Sequence, residues 1–134
     1  DVFFFSIHQS PLYPGSGTSA ERGVGAGEGA TLNAPVPAGS VDADYIAIFE
    51  ETLIPVAREF SPDLVMISAG FDAHEDDPLA GVHITTDGFA QLTRLARDIA
   101  EEQCGGRIVS TLEGGYSLRG LSASVVAHLQ ALTE

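Results

Sequence analysis

Apolar residues in this chain fall into short continuous runs and longer stripes spaced by three or four. Residues 2–6 (Val2-Phe3-Phe4-Phe5-Ser6) and 64–69 are strand-sized and almost unbroken in hydrophobicity, and residues 107–112 are a third strand-sized segment. Such runs predict buried strands covered on both faces. Tyr45, Phe49, Leu53, Val56 and Phe60 form a helical stripe over residues 42–60, with Ser40 or Asp42 as the cap. Pro55 lies inside it and should bend the axis, because it removes one ladder hydrogen bond. A second stripe, Phe89, Leu92, Leu95/Ala96 and Ile99, follows Thr85 or Thr86 as cap and stops at Gly105-Gly106. A third runs through Leu118, Leu121, Val125, Leu129 and Leu132. Residues 32–37 fit a short edge strand, since their prolines exclude a central position. Two irregular stretches remain, residues 7–31 and 70–84. Loops of this length in a compact domain are functional or disordered.

The order strand, excursion, helix, strand, helix, strand, helix predicts an α/β fold. Its strands should be parallel, joined by right-handed crossovers and covered by helices. At 134 residues the chain is one domain at most, and 44% hydrophobic residues suffice for a core. The longest apolar runs are too short to span a bilayer, so no membrane association is expected. A net charge of −13 repels phosphate and argues against direct nucleic-acid binding. The same field favours cationic substrates such as lysine-rich peptides or polyamines, or serves solubility alone. A single cysteine, Cys104, excludes an internal disulfide and fits a reducing, intracellular setting, cytoplasmic or nuclear. It reads as structural. The chain starts at Asp1 with no signal peptide, which suggests processing or excision from something longer.

In parallel α/β sheets, ligands bind beyond the carboxyl ends of the strands. That rule selects Ser6-Ile7-His8-Gln9 with Tyr13, Gly70-Phe71-Asp72-Ala73-His74, and Glu113-Gly114-Gly115-Tyr116. Asp72 is a metal ligand or general base, or else closes an Asx-turn. His74 completes an Asp-x-His pair or is a surface histidine. Tyr116 donates to a developing oxyanion, or packs its ring and bonds a loop carbonyl. Glu113 reads as a buried carboxylate ordering its turn, and Tyr13 as loop packing or the wall of an apolar channel. Ser6 and His8 suit bonding to loop backbone; His83 and His128 read as structural. The glycines at 23–29 neither follow a strand directly nor open a helix, which disfavours phosphate binding.

Taken together, these segments resemble the histone deacetylase family. The resemblance rests on Ser6-Ile7-His8-Gln9, Leu12-Tyr13-Pro14-Gly15-Ser16-Gly17, Asn33-Ala34-Pro35-Val36-Pro37 and Pro62-Asp63-Leu64-Val65. It continues with Ser68-Ala69-Gly70-Phe71-Asp72-Ala73-His74, Asp77-Pro78-Leu79 and Leu112-Glu113-Gly114-Gly115-Tyr116. The blocks keep the family's order across nearly the whole chain. The Ala-Gly-Phe-Asp-Ala-His form is more similar to class II and bacterial deacetylase-like members than to class I.

The resemblance implies the arginase/deacetylase fold, a three-layer α-β-α arrangement around a parallel sheet. Residues 1–134 would form the C-terminal part of its catalytic domain. It further implies zinc-dependent hydrolysis of N-acetylated amines, with acetyl-lysine peptides as substrates. Asp72 would be a zinc ligand and Tyr116 the oxyanion donor. Tyr13, Leu79 and Gly115 would contact the acyl-lysine stem. Ser6 and Ile7 would help hold a structural potassium ion. The family's Asp-x-His zinc pair and tandem histidines have no match here, and His74 matches no family ligand. Both missing motifs are expected upstream, so the piece alone should be inactive. Two other readings are a deacetylase of small amines such as acetylpolyamines, and a non-catalytic α/β interaction module.

Overall fold

The computed structural model describes residues 1–134. The chain forms four strands and four helices: β1 (Phe4–Gln9), β2 (Thr31–Val36), α1 (Asp42–Ile48), α2 (Ile54–Phe60), β3 (Val65–Ala69), α3 (Thr86–Cys104), β4 (Ile108–Leu112) and α4 (Leu118–Thr133). The fold is α/β, as the alternation predicts. Where one continuous sheet is expected, the strands form two parallel pairs, β1 with β2 and β3 with β4. Pro35 in β2 faces His8 of β1, and β2 pairs with no other strand, in keeping with an edge.

Covered strands are expected at residues 2–6 and 64–69, and the structure corrects this. β1 begins two residues later than the run 2–6 suggests and extends through Gln9; Val2 and Phe4 are exposed. In β3 and β4 exposure alternates along the strand. Ile67 and Ser110 face the helices, while Met66 and Val109 stand exposed on the opposite face. Of the three layers of an α-β-α arrangement, these residues build the sheet and the helices on one face.

Residues 42–60 are helical throughout, with a π-helical turn at Phe49–Leu53 inserted just before Pro55. The wider turn accommodates the missing N–H, so proline sits at the start of α2 instead of interrupting a helix. Val41, not Ser40 or Asp42, occupies the cap position of α1. The Asp42 carboxylate instead accepts the Thr85 amide (2.8 Å) and hydroxyl (2.6 Å). Thr85 in turn accepts the Gly88 amide and caps α3, so one carboxylate joins the starts of two helices. Gly105 and Gly106 end α3 with left-handed backbone (φ 61° and 76°), as expected of a helix stop.

The core gathers Val36, Tyr45, Ala69, Phe71, Val82, Ile84 and Phe89. α4 departs from its predicted stripe: Leu118 and Leu129 are exposed, and the buried line is Ser124, His128 and Ala131 beside Leu121 and Val125. His128 explains the choice. Thr93 donates its hydroxyl to the Phe89 carbonyl (2.7 Å), so its oxygen accepts from His128 Nδ1 (2.7 Å). Nε2 then accepts from the Ser110 hydroxyl (2.8 Å). This neutral tautomer ties α4 to α3 and β4, and burial lowers the imidazole pKa below its ordinary 6.5.

Since the unfolded chain binds the proton more readily, stability is full above pH 6.5 and declines as pH falls below it. Thermal midpoints of the intact protein should fall as pH drops below 6.5, and less steeply in His128→Gln. Equal slopes would deny His128 this role.

Candidate functional site

The pairing of β3 with β4 does not stop at the strand ends. The Glu113 amide donates to Ala69 O (3.0 Å) and the Phe71 amide to Gly114 O (2.8 Å). This extension lays the turn carrying Asp72 against the turn carrying Gly114, Gly115 and Tyr116. Contact is close: a Cβ on Gly114 would lie 2.6 Å from Asp72 Oδ2 and would require that carboxylate to shift, and one on Gly70 would lie 3.2 Å from Oδ1. Gly115 has φ +139°, and a Cβ there would meet Leu121 and Phe71.

Asp72 is half-buried in this cradle. Burial raises its carboxyl pKa above the ordinary range; its own backbone amide opposes that, and the charges of Asp77 and Glu113 add to it. Tyr45, buried in α1, has its hydroxyl pushed up to about 12 by burial and by the Asp72 charge. The ion pairs of the chain all lie elsewhere, along α2, α3 and the C-terminus. A half-buried carboxylate in a negative field and without a cationic side-chain partner suits a metal ion. Asp72 fits one position in such a shell. No group of three His, Cys, Asp or Glu side chains assembles within these residues, so a full set of protein ligands is not formed by this chain alone.

Tyr116 projects with its side chain exposed, while its amide donates to Asp77 Oδ2 (2.8 Å). The other oxygen of Asp77 accepts the Leu79 amide (2.9 Å). Asp72, Leu79, Gly115 and Tyr116 are thereby brought together by contacts between two turns. Ser6, Ile7 and Tyr13 belong to the other strand pair. A hydrogen bond from the Gly81 amide to Gln9 Oε1 (2.6 Å) joins the end of β1 to the loop after β3, and Ile7 packs on the core that includes Phe71. Tyr13 is 94% exposed.

His8 Nε2 bonds the Gly17 carbonyl (2.9 Å). A carbonyl only accepts, so Nε2 carries the proton and Nδ1 accepts from the Ser6 hydroxyl at 2.9 Å. His8 and Ser6 therefore bond each other as well as the loop.

Two sequence expectations are corrected here. His74 is not a surface residue: its ring is 5% exposed, stacks on Phe89 and accepts the Asp76 amide at Nδ1 (3.0 Å). Glu113 is exposed, and main-chain bonds order its turn. Sequence reasoning missed Asp77 and Tyr45. An Asp-Pro step two residues before Leu79 is a turn signature that could have flagged Asp77; the proximity of Tyr45 to Asp72 has no local signal.

The family model described as the histone deacetylase domain matches residues 1–132. "Histone deacetylase 14, chloroplastic" of Arabidopsis thaliana is 48% identical over 98% of this chain, which spans 31% of that relative. A "Probable deacetylase" of Archaeoglobus fulgidus is 47% identical over 89% of the chain and 33% of its own length. Among solved structures, the HDA15 HD domain superposes with a TM-score of 0.91 at 41% identity, covering 99% of this chain and 38% of that one. The chain thus spans about a third of the length of these relatives.

Gly114→Ala should cost the intact protein about 1–3 kcal/mol through overpacking against Asp72. Gly27→Ala, with nothing within 4 Å of the new Cβ, is the control. Matching thermal midpoints for the two variants would refute the cradle.

Proposed function

This chain belongs to the histone deacetylase domain family, and from that membership we propose that the intact protein hydrolyses N-acetylated amines, acetyl-lysine side chains foremost. Histone deacetylases are generally zinc-dependent. The observation that supports the reading is the juxtaposition of Asp72 and Tyr116 on two turns linked by the Phe71–Gly114 and Asp77–Tyr116 hydrogen bonds. Asp72 supplies one anionic zinc ligand, and the remaining ligands come from outside these residues. Bound zinc lowers the pKa of a coordinated water to about 7 and polarises the acetyl carbonyl.

The residues of this chain then have distinct tasks. Asp72, desolvated and flanked by like charges, is stabilised as an anion when it faces the ion. Tyr116 donates its phenolic hydrogen to the carbonyl oxygen as that atom becomes an oxyanion. The exposed side chains of Leu79 and Tyr13 offer apolar surface to the acyl-lysine stem, and Gly115, packed against Leu121 and Phe71, presents main chain beside it. Ser6 Oγ and the Ile7 carbonyl serve a potassium ion. The proton transfers belong to histidines beyond these residues, which leaves the isolated piece inactive.

An overall charge of −13 equally favours small cationic amines, and relative rates on an acetyl-lysine peptide and acetylspermidine decide between them. A non-catalytic interaction module would instead contain no zinc and turn over neither. No helix is long and apolar enough to cross a membrane. The Arabidopsis relative is named as chloroplastic.

In the intact protein, Tyr116→Phe should lower kcat by about 100-fold or more with little change in KM, as for other oxyanion donors. Parallel losses in binding and turnover would count against this role. Asp72→Asn should reduce bound zinc, because a neutral amide replaces an anionic ligand. Unchanged zinc by elemental analysis would remove Asp72 from the metal shell.

A further inference from the structure

Asp77 is 8% exposed, yet no cationic side chain neutralises it. Its carboxylate is satisfied by two main-chain amides from different loops: Leu79 at 2.9 Å on Oδ1 and Tyr116 at 2.8 Å on Oδ2. Buried charge-assisted bonds of this kind are short and strong, and two amides from separate segments fix those segments relative to one another. The Asp77 backbone is itself held, because its amide donates to His74 O (2.8 Å). His74 is anchored in turn between Phe89 of α3 and the first turn of α4, where a Cβ on Gly120 would lie 2.6 Å from its Nδ1.

Tyr116 needs such a restraint. Its side chain is exposed, and two glycines precede it, one of them at φ +139°. Gly114 and Gly115 give the turn its close approach to Asp72, and the same freedom would let the backbone at position 116 shift. We propose that Asp77 is the positioning residue that fixes the Tyr116 backbone, and with it the reach of the phenol toward Asp72, while holding Leu79 on the same frame. The proposal rests on the assignment of Tyr116 above.

Both carboxylate oxygens of Asp77 are engaged by main-chain amides, so it acts through Tyr116. Asn at this position keeps one acceptor and turns a donor toward the second amide, so one of the two bonds is lost. A displacement of about 1 Å at a reacting group costs about 100-fold in rate.

The test is a double-mutant cycle on the intact protein with an acetyl-lysine peptide as substrate. Asp77→Asn should lower kcat by about 10- to 100-fold, with KM and zinc content nearly unchanged. The variant carrying both Asp77→Asn and Tyr116→Phe should be no slower than Tyr116→Phe alone, because the positioned group is already gone. Multiplied losses in the double variant would overturn the positioning role and leave Tyr116 standing. Full activity in Tyr116→Phe alone would instead overturn the underlying assignment. Should Asp77→Asn fail to fold, hydrogen exchange on the unaltered protein decides. Slow exchange at the Tyr116 amide, beneath an exposed side chain, supports the bond, and exchange at the unprotected rate overturns it.

Discussion

The candidate site depends on the register between β3 and β4. Ala69 lies opposite Leu112, and the ladder continues through Glu113 to Ala69 and Phe71 to Gly114. The first of these bonds uses the last residue of β3 and the second lies past both strands, where parallel chains usually separate into independent loops. They keep the two loops paired long enough for one to deliver a carboxylate and the other a phenol. A slip of one residue would exchange every inward and outward side chain and move Asp72 off the glycine that accommodates it. The chemistry therefore follows from main-chain hydrogen bonding, and the glycines are what permit so close an approach.

Much of this was legible in the sequence, for physical reasons that differ between elements. The period of three and four around Phe89, Leu92, Ala96 and Ile99, bounded by Thr85 and Gly105, located α3 with its cap and stop. Glycines beside Asp72 and Tyr116 marked turns at strand ends, and the rule about carboxyl ends selected both. The strand pairing was not legible. A continuous apolar run does not say which face of a strand is covered, and Met66 and Val109 are apolar although they stand exposed. Hydrophobicity alone does not specify which segment covers them.

Polar interior contacts were the other blind spot. The Ser124, His128 and Ala131 line displaced Leu118 and Leu129 from the buried side of α4 because an imidazole bonded at both nitrogens can be buried at little net cost. Asp42 looked like a cap for its own helix and serves Thr85, 43 residues away. Such partners are remote in sequence, so local periodicity carries no trace of them. The same holds for Asp77 and Tyr116, 39 residues apart.

The uncovered strand face and the excess of carboxylates have a joint colloidal consequence. Apolar faces attract their like, whereas chains of charge −13 repel one another over a Debye length. That length is about 10 Å at 0.1 M salt and about 3 Å at 1 M. Ionic strength therefore sets the balance between dispersion and self-adhesion for these residues, and concentrated salt tips it toward clustering.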